Sequence, residues 1–177
     1  AQNHSIALTS DGELWTWGDN SFGQLGTGNT QNQSSPVQVG NNFDWTQISS
    51  KGNFCLAKKV DGTIWAWGEN QLGQCADSTN TSVLSPKQIG GDDTWKEVFA
   101  GKNHAGAITA YGAIFLWGNN SKNQIDSSSN GSFNIPQKIK AGKNWVKLAL
   151  GAEHTIALKA NGTISGWGNN DSNQISN

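Results

Sequence analysis

Apolar and polar residues alternate in short runs along this chain, and nowhere do apolar positions recur with a helical period. Trp95-Lys96-Glu97-Val98-Phe99 alternates apolar with polar side chains and then meets Gly101, which predicts a strand ended by a turn. HTIALK, residues 154–159, is the next short apolar run. Asn161-Gly162 behind it is an Asn-Gly hairpin signal, and Asp11-Gly12 and Asp61-Gly62 take the same place in other copies. GTIWAWG, residues 62–68, predicts a third strand on the β-branched and aromatic bulk of Ile64, Trp65 and Trp67. A polar loop follows, and Pro86-Lys87-Gln88-Ile89 predicts a fourth strand. Proline at its start fits an edge position, where a missing N–H leaves no neighbour unpaired.

The pattern is also periodic on a longer scale. Trp-Gly recurs at Trp17, Trp67, Trp117 and Trp167, fifty residues apart each time. A glycine stands five residues upstream of each indole (Gly12, Gly62, Gly112, Gly162) and an alanine ten upstream (Ala7, Ala57, Ala107, Ala157). Trp45, Trp95 and Trp145 keep the same interval, as do Pro36, Pro86 and Pro136. Four short antiparallel strands in a fifty-residue unit are the arithmetic of a β-propeller blade. The expectation is an all-β fold, one propeller segment over residues 1–177, with units at about 1–44, 45–94, 95–144 and 145–177. The chain opens on a second strand and stops after a third, giving fourteen strands, or three and a half blades. The four Trp-Gly indoles are assigned to the core, and the recurrent alanine predicts close backbone packing near a central channel.

The repeated words resemble a known family. HSIALTSDGELWTWGDNSFGQLGTGN, residues 4–29, is similar to the repeat of the regulator of chromosome condensation. The likeness lies in the His-Ser-x-Ala-Leu strand, the Asp-Gly turn, the Trp-Gly pair, the Gly-Gln-Leu-Gly loop and Ser35-Pro36. It covers essentially the whole chain and implies a seven-bladed propeller, of which three and a half blades is half. Either more chain completes the ring, this stretch being part of a longer propeller or multidomain protein, or a second copy does so by two-fold symmetry. The later copies drift to WGNNSKNQI and WGNNDSNQI, where Gly23 and Gly73 give way to Asn123 and Asn173. Asparagine is the other residue that tolerates a left-handed backbone. Leu25, Cys75, Ile125 and Ile175 hold one apolar place. His4, His104 and His154 share a position with Phe54, and the resemblance makes this histidine a structural feature of its strand. Equivalent positions stand a blade apart, so the three imidazoles are not expected to converge on a metal.

Composition narrows the function. Formal charge is -1, with 12 basic and 13 acidic residues, and every basic residue is lysine. Without arginine there is no planar fork for a guanine edge, so nucleic acid is not an expected partner. A photoreceptor branch of this repeat couples its tryptophans to arginines, and that site has no counterpart here. No run is long enough to span a bilayer, and no signal-peptide pattern is present. The absence of methionine implies that Ala1 is a processed or excised end. Asparagine occurs 21 times and glycine 22 times, which reads as loop chemistry around a repeated core. Seven Asn-X-Ser/Thr sequons, at Asn3, Asn32, Asn80, Asn119, Asn130, Asn161 and Asn170, are what such a composition yields by chance. Cys55 and Cys75 have no metal or redox spacing and are expected as small buried hydrophobes. Asp92-Asp93 is expected to turn the chain before Trp95. Asp19 and Glu69 become Asn119 and Asn169 in later copies, so no acid pair recurs. Neither a catalytic constellation nor a cofactor is expected.

The expectation is a non-enzymatic scaffold that presents loops 19–35, 69–85 and 119–135 to a protein or surface ligand. Asn20, Phe22, Asn70, Leu72, Asn120 and Lys122 are the candidate contact residues. Trp15 and Trp65 alternate with the core indoles and are candidate anchors, replaced later by Phe115 and Ser165. Two other readings stand beside this one. An attachment or decoration module on a virion or microbial surface draws on the Asn-, Ser-, Thr- and Gln-rich loops and low charge. Nucleotide exchange on a small GTPase is implied by the resemblance, and the missing arginines and basic tail stand against it.

Overall fold

A computed structural model describes residues 3–91, 94–129, 131–139 and 142–175. The expected Asp92-Asp93 turn, the sequon at Asn130 and Ala1 lie outside the described residues. Fourteen strands are present among them, and no helix. They form four antiparallel sheets in chain order. The first holds β1 (His4–Leu8), β2 (Leu14–Gly18) and β3 (Gln33–Gln38). The second holds β4 (Trp45–Ser50), β5 (Phe54–Lys59), β6 (Ile64–Gly68) and β7 (Val83–Ile89). The third holds β8 (Trp95–Ala100), β9 (His104–Thr109), β10 (Ile114–Gly118) and β11 (Phe133–Lys138), and the fourth β12 (Trp145–Leu150), β13 (His154–Lys159) and β14 (Ile164–Gly168). The half blade of the strand count is thus shared between two three-stranded sheets, one at each end of the series. Neighbouring sheets touch through their first two strands, β1 with β4, β4 and β5 with β8, and β8 and β9 with β12, as blades stacked about one axis do.

The hairpins turn where the glycines predict. Thr9 N donates to Glu13 O at 3.0 Å and Gly12 N to Thr9 O at 3.1 Å, with Gly12 at φ +83°. Gly62 and Gly162 repeat this at +85° and +86°. A side chain at Gly12 would also strike the Phe43 carbonyl, so the position needs glycine twice over.

The outer strands differ from expectation. β7 starts at Val83, three residues before Pro86, and passes through a bulge: Gly68 pairs with Val83, then Ala66 with Lys87. Pro36 and Pro136 sit in equivalent bulges of β3 and β11. Inside a bulge on an edge strand no ladder bond is asked of the proline nitrogen.

Burial follows the repeat along the series and relaxes in parts of the two end sheets. Ala57, Ala107 and Ala157 are buried, as are Trp67 and Trp117, Ile64 and Ile114, and Trp45, Trp95 and Trp145. In the first sheet Trp17 and Ala7 are only half-buried, and in the fourth Trp167 is too. Gly162, buried at Gly12 and Gly62, is exposed there. The assignment of all four Trp-Gly indoles to the core therefore holds fully for two of them.

Candidate interaction surface

The loop that follows each Trp-Gly pair has two parts with different work. Its first half is a clamp. Asn20 Oδ1 accepts from Leu25 N at 2.9 Å, and Asn20 Nδ2 donates to Asn29 O at 2.9 Å and Gln31 O at 3.1 Å. Asn70 repeats this on Cys75 N, Asp77 Oδ1 and Thr79 O, and Asn120 on Ile125 N, Asp126 O and Ser129 O. Gln24 and Gln74 each take a backbone N–H on their own loop, at Phe22 and Leu72, both at 2.8 Å. These asparagines are fully buried, so Asn20, Asn70 and Asn120 cannot be contact residues. Their spacing hides this, because a residue flanked by polar loop looks exposed until the loop folds around it. Phe22 and Leu72 are half-buried, and Lys122 is exposed.

The clamp also reaches the next blade. Trp67 Nε1 donates to Gln24 O at 3.0 Å and Trp117 Nε1 to Gln74 O at 2.9 Å. A side chain at Gly26 would meet Trp67 Nε1 at 2.9 Å, and one at Gly73 would meet Phe133 O at 2.6 Å. Gly28 N and Ser78 N donate to Leu84 O and Asn134 O of the following sheets, both at 2.9 Å. The first two loops are thus stitched to the next outer strand, and the loop crests face solvent at Gly28–Asn32, Ser78–Thr81 and Asp126–Ser128.

The histidines form a second stitch, absent from any local pattern. His104 Nε2 lies 3.1 Å from Thr155 Oγ1, which donates to Gln124 O at 2.8 Å. His4 Nε2 lies 3.1 Å from Ser50 Oγ and 3.2 Å from Cys55 Sγ, and Cys55 donates to Gln24 O. In the second copy Phe54 stands for histidine, and Ala105 stands for its partner fifty-one residues on. Where the donor is lost the acceptor is lost too. Burial holds His4 and His104 neutral, each pushed down to about 4. Burial pushes the Cys55 thiol up to about 12 and Cys75 well above its usual value, so both are free, protonated and inert. Among the described residues no group of three or more His, Cys, Asp or Glu is placed to hold a metal. Nor is any helix long and apolar enough to cross a membrane.

Between the outer strands of adjacent sheets lie grooves. The first, of about 530 Å³, is lined by Val37, Gln38, Val39, Trp45, Trp65 and Pro86 among others. Trp45 and Trp65 meet edge to face at 5.8 Å and 82°, and Lys59 Nζ sits 4.8 Å from both ring centres while pairing with Asp44 at 3.2 Å. Trp65 is half-buried here, packed on Trp45. Trp95 and Phe115 repeat the pair at 5.0 Å in the second groove.

The comparisons agree with this geometry. The model of the regulator of chromosome condensation (RCC1) repeat matches residues 11–57, 61–108 and 111–158, and a second model of that repeat matches 45–74 and 145–174. The ultraviolet-B receptor UVR8 of Arabidopsis thaliana is 64% identical over 36 residues, which is 20% of this chain and 8% of that protein. The X-linked retinitis pigmentosa GTPase regulator of Homo sapiens is 57% identical over 37 residues, 21% of this chain and 4% of that protein. Human WBSCR16 superposes with a TM-score of 0.80 at 25% identity, over 95% of this chain and 46% of that one. Prp20p of Saccharomyces cerevisiae superposes with 0.79 at 20% identity, over 88% and 41%. The chain spans under half the length of these two structures.

Proposed function

The chain belongs to the regulator of chromosome condensation repeat family, and we propose that it is a non-enzymatic scaffold whose rigid blades hold variable loop crests against a protein partner. One observation carries this reading. The buried half of the loop is the same device in the first three copies, while the exposed crest differs: GNTQN at 28–32, STNT at 78–81 and DSS at 126–128. A shared frame under unlike crests is how a repeat fold offers a specific surface without altering its core. Phe22, Leu72 and Lys122 flank those crests and are the remaining contact residues from the sequence pattern.

The test replaces crest residues 28–31 and 78–81 with Gly-Ser tracts of equal length, leaving Asn32 and Asp77 in place, and compares affinity capture by the two proteins. A macromolecule retained by the native chain and lost by the variant supports the scaffold. Equal retention overturns it. Nucleotide release from a small GTPase, accelerated by the native chain, would favour exchange activity instead; Prp20p, named with binding to Gsp1p and histones, is the relative that motivates that assay. An attachment role rests on loop composition alone, and a glycan array tests it.

Completion of the ring by further repeats or by a second copy belongs to the same proposal. Fourteen strands in four sheets mean that two copies would bring eight sheets, so a seven-sheet ring favours further repeats on one chain. Mass in solution separates the two: a stable monomer excludes the two-copy ring.

A further inference from the structure

We propose that the face opposite the loop crests, over the third and fourth sheets, binds an acidic segment of a protein partner. This rests on the scaffold reading and assigns it a second contact area. Strands alternate in direction, so the β5–β6, β9–β10 and β13–β14 turns share that face with the links that lead into Trp45, Trp95 and Trp145. One site recurs there three times. Val60, Ala110 and Ala160 donate their backbone N–H groups to Asp44 O, Thr94 O and Asn144 O, at 2.9, 3.0 and 2.9 Å. In the first copy Lys59 Nζ lies 4.8 Å from the Trp45 ring centre and pairs with Asp44 at 3.2 Å. In the second both charges are gone together, Thr94 standing for the acid and Thr109 for the lysine. The third keeps the cation alone. Lys159 Nζ lies 4.7 Å from the Trp145 ring centre, and Asn144 stands in the place of the acid.

The third site is also open. Trp65 covers Lys59 from its other side at 4.8 Å, whereas Ser165 replaces that ring beside Lys159. Lys59 is accordingly 8% exposed, and Lys159 is half-buried. Nor do the surroundings supply another counter-ion. Lys96, Lys143 and Lys159 make no ion pair among the described residues. The side-chain acids of residues 95–177 are Glu97, Asp126, Glu153 and Asp171. Lys147 takes Glu97 at 2.8 Å, and the other three stand on crest-side loops and turns. Asp44 on Lys59 is the internal template for what the third site takes: a carboxylate against an ammonium that rests on an indole.

An aromatic contact lies beside these cations. Tyr111 is 83% exposed in the β9–β10 turn, where the other copies place Asp11, Asp61 and Asn161. Asp61 and Asn161 accept the backbone N–H two residues on, from Thr63 and Thr163, and tyrosine gives that bond up. Tyr111, Lys96, Asn144 and Val146 line a cleft of about 280 Å³ that reaches Trp145. The partner segment therefore brings carboxylates to the three lysines and an apolar side chain to Tyr111.

The acetylated, amidated peptide Glu-Glu-Leu-Glu-Glu, titrated into the ¹⁵N-labelled chain, tests the proposal. The backbone amide signals of Tyr111 and Ala160, assigned by triple resonance, are expected to move saturably while that of Lys102, on a crest-side turn, stays in place. Lys159→Thr should weaken binding at least tenfold and Tyr111→Asp at least threefold. Each variant copies a residue that another repeat holds at the same place, so the fold has a precedent for both. Lys102→Gln should leave the affinity unchanged. Signals that do not move, an affinity indifferent to Lys159→Thr, equal binding of Gln-Gln-Leu-Gln-Gln, or displacement by an equal concentration of inorganic phosphate would overturn it. So would sedimentation showing two copies joined through this face and separated by Asp61→Lys, which gives the site to a second copy. A partner captured through the crests with the acidic peptide silent removes this site and leaves the scaffold intact. Peptide binding with crest replacement silent does the reverse.

Discussion

The second and third sheets and the two that flank them are written in nearly the same words, yet they bury them differently. Trp67 and Trp117 are wholly enclosed, with their Nε1 groups bonded to the preceding loop. Trp17 is half-buried, and Trp167 is half-buried with its Nε1 unpaired. The difference shows that a blade does not own its core. Each indole is buried by the loop before it and the sheet after it, as stacking repeats require.

Substitution should make that contrast measurable. Trp117→Ala is expected to cost about 3–5 kcal/mol in denaturant unfolding, against about 1–2 kcal/mol for Trp17→Ala. Equal losses would mean that the flanking sheets contribute nothing to burial. Next comes acidity. The unfolded imidazole of His104 titrates at 6.5 and the folded one at about 4, so the unfolded state binds the proton first. Stability should therefore fall as pH drops from about 6.5 to about 4, by up to about 3 kcal/mol from this group, and level off below. The double variant His104→Phe with Thr155→Ala copies the Phe54–Ala105 pair, and its stability curve should flatten over that window.

Smaller effects come from the loops and the rim. Asn70→Ala strands Cys75 N in the interior, loses the bond to Thr79 O and should cost about 2 kcal/mol, whereas Asn170→Ala removes a bond to Ile175 N in a less buried loop and should cost about half that. Paired thermal melts of the two variants check this ratio. Least of all is the join between β8 and β12. Between β4 and β8, Gln47 exchanges two 3.0 Å bonds with the Val98 backbone, but between β8 and β12 Glu97 meets Lys147 at 2.8 Å in partial exposure. Lys147→Ala should cost under about 0.5 kcal/mol and lose even that in high salt, while Gln47→Ala should cost about 1–2 kcal/mol at any ionic strength.

Much of this architecture is legible in the chain. The fifty-residue interval, the Asp-Gly turns and the run IWAWG place strands and turns close to where they stand, because strand alternation and positive φ are local demands. β7 escapes by three residues, since a bulge lets a strand run through Pro86 where a regular ladder would not. Asn20, Asn70 and Asn120 escape altogether: as polar residues in polar loops they look like contacts, and only the folded loop turns them inward. The histidine stitch was available as a covarying pair at a spacing of fifty-one, His4 with Cys55, Phe54 with Ala105, His104 with Thr155, but only to a reader who compares neighbouring copies instead of aligned ones.

The all-β repeat, the family and the order of strands are legible along the chain, because each depends on residues close together in it. Packing between blades settles which indoles are enclosed, which asparagines are hidden and which indole nitrogens find an acceptor. Those outcomes depend on the neighbouring blade, and stacking brings together atoms that the fifty-residue period holds apart.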